Sequence, residues 1–373
     1  MGSILSSEDY DKDKHGVSDR AMFDRYIADD GLLQDLSGKV VAITGTSVGG
    51  MGYCLGEAAI RKKAKVLLCL NRDSASAKQG QEGLEKLVKD TESPTVVQAV
   101  TCDLQSLDSV KTAATNVNKV AKQHDGLDVL ILNAGIMATR DKRTSDGFDI
   151  QMQTNQLSHF LLTSIVFESV KLAGDKRGDA RIVTHSSSAR DTPGSPLIKD
   201  FFVKSEPKTL GGDDTWMVSE LLFGSWGPWQ RYHQTKLANS AFAMALHEKL
   251  AAKGLTTSKV KALTSDPGLA ASNLQVSSTR GDGLMSSGMA KFLLPNGQSA
   301  EDGSLSCAMC AFSPQANSGD MYAPKSSAKG EPVKTIEGNV PVKKGGEKLT
   351  CNKENQENVW KWCEEALGIT FEV

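Results

Sequence analysis

The sequence predicts an α/β protein built on one doubly wound parallel sheet. Six short runs of β-branched and aliphatic residues alternate with longer segments of helical period, as parallel strands joined by covering helices do. The first run leads into a glycine-rich turn, Thr46-Ser47-Val48-Gly49-Gly50-Met51-Gly52, which opens a helix. With 373 residues the chain has room for one large domain with extensions at both ends.

Each element has its own signal. Lys39 to Thr44 is an apolar run ending at Gly45, the profile of a buried parallel strand. Leu55, Ala58, Ala59 and Ile60 recur at helical spacing behind the glycine turn. The alternation then continues with strand 65–70, helix 75–90, strand 95–102, helix 107–124, strand 127–132, helix 149–171, strand 181–185, helix 230–252 and strand 260–264. Asp191 to Gly227 is a long Pro- and Gly-containing connection, of the kind that forms lids or binding elements. Residues 325–350 read as a mostly exposed excursion, and the amphipathic tail around Asn358 to Leu367 as a helix docked on the domain. The expected division is an arm over 1–37 with a short helix near Arg20 to Asp30, a main domain over 38–324, and a C-terminal extension over 325–373.

Composition narrows the function. A net charge of −2 with interspersed signs argues against a nucleic-acid partner. The longest nearly apolar run, Val129 to Ala138, is far shorter than the ~20 residues of a membrane-spanning helix, so a soluble, cytoplasmic protein is expected. Met1-Gly2-Ser3-Ile4-Leu5-Ser6 fits an N-myristoylation pattern, and membrane association is expected only if Gly2 carries that chain. Seven cysteines without a secretory signal are expected to be free thiols. Cys307 and Cys310 have CxxC spacing, but no second pair accompanies them, so buried packing rather than a metal site is the expectation.

Chemistry concentrates at strand ends. Tyr232 and Lys236 stand four apart on a helix, which brings a phenol and an ammonium onto one face. Thr44-Gly45 with Gly50 and Gly52 follow the first strand, Asn133-Ala134-Gly135 the fourth and Ser186-Ser187 the fifth, while Asn155 lies in the following long helix. In a parallel sheet the ligand crevice lies beyond the carboxyl ends of the strands, so these residues converge although they are nearly two hundred positions apart. His185 beside Ser187 invites a Ser/His nucleophile, but adjacent strand residues face opposite ways and no Gly-x-Ser-x-Gly elbow is present.

The set resembles the short-chain dehydrogenase/reductase family over roughly Gly38 to Pro324. Its closest look is to the retinol-dehydrogenase-like and protochlorophyllide-reductase-like branch, through Asp146-Gly147-Phe148, Gln153 to Thr163 and Lys236-Leu237-Ala238-Asn239. The resemblance implies a Rossmann fold and an NADP(H)-dependent oxidoreductase interconverting an alcohol and a carbonyl. It implies Tyr232 as acid/base, Lys236 as the group that lowers its pKa and holds the nicotinamide ribose, Ser187 as polariser of the substrate oxygen, and Asn155 as holder of a relay water. Cofactor contacts are implied at Thr44, Gly45, Ser47, Gly50, Met51, Gly52, Asp103, Leu104, Asn133, Ala134, Gly135, Pro267, Gly268 and Ser272. Gly49 and Gly50 remain alternatives for the phosphate contact, because the turn is one residue longer than the family's spacing. Asp103 reads equally as a signal starting the next helix.

Cofactor choice rests on Leu70-Asn71-Arg72-Asp73. Arg72 suits the 2′-phosphate of NADP(H), and Asp73 leaves NAD(H) as the lesser alternative. Trp216, Phe223, Trp226 and Trp229 make the 191–227 insert the expected wall for a bulky apolar substrate such as a retinoid, steroid, lipid or pigment-like molecule. A double-bond reductase of the protochlorophyllide type and a non-catalytic dinucleotide-binding scaffold or sensor are the alternatives. The family's dimers, built on two long helices, are open to this chain unless the insert blocks that face.

Overall fold

The computed structural model describes residues 19–192, 194–213, 227–255, 259–271 and 297–373. The chain runs α1 (Ala21–Ile27), β1 (Val40–Thr44), α2 (Met51–Arg61), β2 (Val66–Asn71), α3 (Ala75–Asp90), β3 (Val96–Thr101), α4 (Leu107–Gln123) and β4 (Val129–Leu132). Next come α5 (Ile150–Met152), a π-turn over Gln153–Leu157, α6 (Ser158–Arg177) and β5 (Ala180–His185). The remaining elements are α7 (Gly227–Ala252), β6 (Val260–Ser265), β7 (Ala270–Ala271), β8 (Gln298–Ser299), α8 (Ala300–Phe312), β9 (Met321–Pro324), β10 (Pro332–Glu337), β11 (Val340–Pro341) and α9 (Lys353–Leu367).

Among the described residues, nine strands form the main sheet in the order β11-β10-β9-β6-β5-β4-β1-β2-β3. Pairing is parallel from β3 to β9, as the alternation predicted, and β10 and β11 are antiparallel additions at the edge. Residues 325–350 were expected to be mostly exposed. Instead β10 and β11 extend the sheet, and Ile336 is fully buried. Two further strands, β7 and β8, pair with each other.

Strands β1, β4 and β5 are buried on both faces, which explains their unbroken apolar runs. One core lies between the sheet and α4, α6, α7 and α9, and contains Phe160, Phe242 and Trp360. The other lies under α1, α2 and α8. Residues 19–36 contribute to this second core through Phe23, Leu33 and Leu36, and the Arg20 guanidinium pairs with Glu57 at 2.7 Å. The expected helix 149–171 is longer and interrupted: the π-turn splits it, and Gly178 at φ 74° caps its end.

Within the 191–227 insert, Phe201 and Phe202 are buried, and Phe202 packs on Trp362 of α9 at 5.4 Å. These two rings therefore support the core. Trp216, Phe223 and Trp226 lie outside the described residues, as do Ser272 and the myristoylation pattern. No described helix is long and apolar enough to cross a membrane.

Candidate active site

The carboxyl ends of β1, β4, β5 and β6 are neighbours in the sheet, so Thr44, Asn133, Ser187 and Pro267 arrive on one edge. Asn133 joins three of these ends. Its Nδ2 donates to the carbonyls of Thr44 (2.9 Å) and Gly45 (3.1 Å), and its Oδ1 lies 3.0 Å from Nδ1 of His185. Thr44 Oγ1 accepts from the backbone N–H of Asn133 and Ala134, both at 3.0 Å. It also lies 3.0 Å from His159 Nε2, whose ring reaches back to the Asn155 carbonyl through Nδ1. Burial holds the His159 pKa down at about 4, so the ring is neutral and relays structure rather than charge.

The glycine turn is shaped by close approach. A Cβ on Gly52 would lie 2.2 Å from the Gly45 carbonyl oxygen, and one on Gly45, already at φ 78°, would lie 2.9 Å from the Ala134 Cβ. Gly49 takes φ 76°, which leaves Gly50 as the N-cap of α2 with no side-chain cap and no acidic residue in the first turn. This 11-residue helix thus opens with its positive dipole end uncapped by a side chain, beside the partly exposed Ser47 and Met51. Asn71 braces the turn by exchanging two hydrogen bonds with Thr46, at 2.8 and 2.7 Å.

At the end of β2, Arg72 is exposed while Asp73 pairs with Lys78 at 3.0 Å. Asp103 accepts from the Gln105 N–H at 3.0 Å, so its carboxylate shapes the turn before α4, whose N-cap is Ser106. Leu104 is buried, and its carbonyl accepts from Ser158 at 2.6 Å.

Tyr232 and Lys236 sit one turn apart on α7, both almost completely buried. Ser187 is the hydroxyl that acts on the phenol, pulling its pKa down, whereas the neighbouring Ser186 donates to the Lys236 carbonyl at 2.7 Å and so locks β5 to α7. Lys236 was expected to hold the phenol's pKa down. In the structure, burial dominates and raises it; Ser187 opposes the rise and Asp266 adds to it. The ammonium instead donates to the His185 carbonyl at 2.8 Å and lies 5.7 Å from the centre of the Tyr232 ring. Desolvation brings the Lys236 pKa down to about 8, with Asp266 acting in the opposite direction.

Asn155 lies in the π-turn. Its Oδ1 accepts from the Ile136 N–H at 2.8 Å, and its Nδ2 donates to the Ile136 carbonyl (2.9 Å) and to Thr235 Oγ1 (3.0 Å). A Cβ on Gly135 would lie 3.2 Å from Asn155 Oδ1 and 3.6 Å from Lys236 Nζ, so that glycine keeps open the space between amide and ammonium. Met137, Ala138 and Trp229 surround Tyr232 with apolar surface, the indole meeting the phenol edge-on at 5.9 Å.

Below the site, Gly268, at φ 63°, donates to Asp266 Oδ1 at 2.8 Å, and Pro267 accepts from Gln298 at 3.0 Å. Asp266 also pairs with the buried Arg190, which in turn makes two bonds to Glu347, at 2.9 and 2.6 Å. Sequence reasoning missed this cluster, because its members come from three distant segments with no common spacing. Cys307 and Cys310 are buried in α8; the Cys310 thiol donates to the Thr264 carbonyl at 3.1 Å.

Comparisons with known proteins agree with this geometry. Residues 39–197 match the short chain dehydrogenase family model. An uncharacterised oxidoreductase of Schizosaccharomyces pombe is 31% identical over 228 residues, 60% of this chain and 59% of the relative. Polyprenol dehydrogenase of Homo sapiens is 31% identical over 229 residues, 61% of this chain and 60% of the relative. The chain thus spans about three fifths of the length of these curated relatives. Among solved structures, an uncharacterised protein from Mycobacterium paratuberculosis has a TM-score of 0.63 at 24% identity, covering 93% of this chain and 98% of its own. L-sorbose reductase from Gluconobacter frateurii, solved with NADPH and L-sorbose, has a TM-score of 0.52 at 17% identity, covering 76% of this chain and 93% of its own. With its mostly parallel sheet, glycine turn and Ser-Tyr-Lys edge, the chain is similar to the short-chain dehydrogenase/reductase family, whose model matches its residues 39–197.

Proposed function

We propose that this protein reduces, or in reverse oxidises, a carbonyl/alcohol pair on a bulky apolar substrate with NADP(H). The observation that carries the reading is the buried phenol of Tyr232, acted on by the Ser187 hydroxyl and set one helical turn from the Lys236 ammonium. The cofactor supplies the hydride when bound. Gly45, Gly50, Gly52 and the start of α2 fit a pyrophosphate, since backbone can approach closely there and the positive end of the helix carries no side-chain cap.

Arg72 is the side chain that would meet a 2′-phosphate, because Asp73 is occupied by Lys78. Tyr232 donates its proton to the developing alkoxide, and the Ser187 hydroxyl supports the same oxygen where charge develops. The raised phenol pKa keeps that proton in place at neutral pH. Lys236 and Asn155 flank the gap kept open by Gly135, a fitting place for the ribose hydroxyls and for proton return.

The apolar walls of Met137, Ala138 and Trp229 favour a large hydrophobic substrate, in keeping with the name of the human relative, a polyprenol dehydrogenase. The test is NADPH consumption over a panel running from small polar to long apolar carbonyls. Turnover of the apolar members supports the assignment. Preference for the small polar ones removes the substrate class, and inactivity over the whole panel removes the reaction.

A further inference from the structure

His185 carries an imidazole that the reaction scheme above does not use. Along β5, Arg181 reaches the carbonyls of Cys310 (3.0 Å) and Ser313 (2.7 Å), and Val183 belongs to the core under α2 and α8. Thr184 faces the opposite way and donates to the Asn239 carbonyl of α7 at 3.0 Å. By the two-residue period of a strand, His185 shares the face of Arg181 and Val183, the side of the glycine turn.

The hydrogen bonds around the ring settle its tautomer. Asn133 Nδ2 is committed as a donor to two carbonyls, so Asn133 Oδ1 must accept, and His185 Nδ1 carries the hydrogen between them. Nε2 is then a bare acceptor. It is buried and finds no partner among the described residues. Burial and the nearby Lys236 ammonium hold the ring neutral, with its pKa down at about 3. Lys236 itself rests on the carbonyl of this same residue. His185 thus links the glycine turn, through its ring and Asn133, to Lys236, through its carbonyl.

We infer that His185 is a cofactor-contacting residue whose Nε2 accepts a hydrogen bond from the nicotinamide half of the dinucleotide, from either its carboxamide N–H or its ribose hydroxyl. The inference rests on the NADP(H) reading above. An acceptor without a partner in a buried site is costly, and a bound N–H or O–H donor relieves that cost.

The test measures the Kd of NADPH and of adenosine 2′,5′-bisphosphate, which lacks the nicotinamide half, for wild type, His185→Val and His185→Gln. His185→Val should weaken NADPH about tenfold and leave the bisphosphate within about twofold, while His185→Gln, whose amide oxygen can accept, restores part of the loss. A 3-acetylpyridine analogue of NADP, which has no carboxamide N–H, separates the two donors. If the carboxamide donates, His185→Val should hardly change its Kd; if the ribose hydroxyl donates, its Kd should rise as much as that of NADP.

Equal weakening of NADPH and the bisphosphate, or an unchanged NADPH Kd, overturns the inference. In wild type, nitrogen NMR of the His185 ring adds a measurement independent of any variant's folding. Nε2 should be unprotonated and shift on adding NADPH but not the bisphosphate; a protonated Nε2 or an unmoved signal overturns the inference. Failure of wild type to bind NADPH at all removes the cofactor reading and this inference together, whereas binding that is indifferent to His185 removes only the inference.

Discussion

The ammonium of Lys236 donates to the backbone carbonyl of His185 across 2.8 Å, so the site's cation rests on the end of β5 rather than on the phenol one turn away. Its burial has a thermodynamic consequence. A lysine whose folded pKa falls to about 8, against about 10.4 in an unfolded chain, destabilises the folded state wherever it is charged. Below pH 8 both states hold the proton and the cost is full. Between about 8 and about 10.4 the unfolded chain binds more protons, so stability rises with pH.

Lys236→Met should therefore stabilise the cofactor-free protein by up to about 3 kcal/mol at pH 7, the equivalent of this shift. The gain should shrink by pH 10. Urea unfolding of both proteins at the two pH values checks it, and turnover should be lost at both.

Gly135→Ala probes the gap between Asn155 and Lys236. The added methyl would lie 3.2 Å from the amide oxygen and 3.6 Å from the ammonium. We expect kcat to fall about tenfold to a hundredfold through misplacement, with little change in Tm. Steady-state kinetics beside a thermal melt separates the two effects.

Arg72→Ala tests cofactor choice. Losing a charge-assisted bond to a 2′-phosphate should raise the NADPH KM by about tenfold to a hundredfold. The NADH KM should barely move, because no phosphate meets that position. Parallel titrations of the two cofactors read the difference.

Glu347→Ala tests the buried ion cluster. Arg190 would keep Asp266 but lose two bonds while remaining buried, and removing one partner of such a pair costs about 3 kcal/mol or more. Urea unfolding should show that loss. Activity should also fall, because Arg190 lies on the turn that Ser187 caps.

Much of this was legible in the sequence. Apolar runs such as Val40–Thr44, and Tyr232 and Lys236 four positions apart on one helix, obey periods that survive in any context. The edge strand β10 was not legible: Pro-Val-Lys-Thr-Ile-Glu mixes polar and apolar residues and is identifiable only from its pairing with β9. The π-turn at Asn155 leaves no compositional mark, since one extra residue per turn is a matter of hydrogen bonding. The helical 3.6 period correctly paired Tyr232 with Lys236, but it could not foresee that the ammonium would turn to the His185 carbonyl, which depends on how β5 ends against α7.

The most direct measurement is NADPH-dependent turnover of an apolar carbonyl by wild type and Tyr232→Phe, with the NADPH Kd of each. The phenol is central to the proposed chemistry, and general acid catalysis of this kind is worth ~10²–10⁴ in rate. We predict a fall in kcat of that size with Kd and Tm nearly unchanged. A phenylalanine variant that turns over at the wild-type rate would contradict the account.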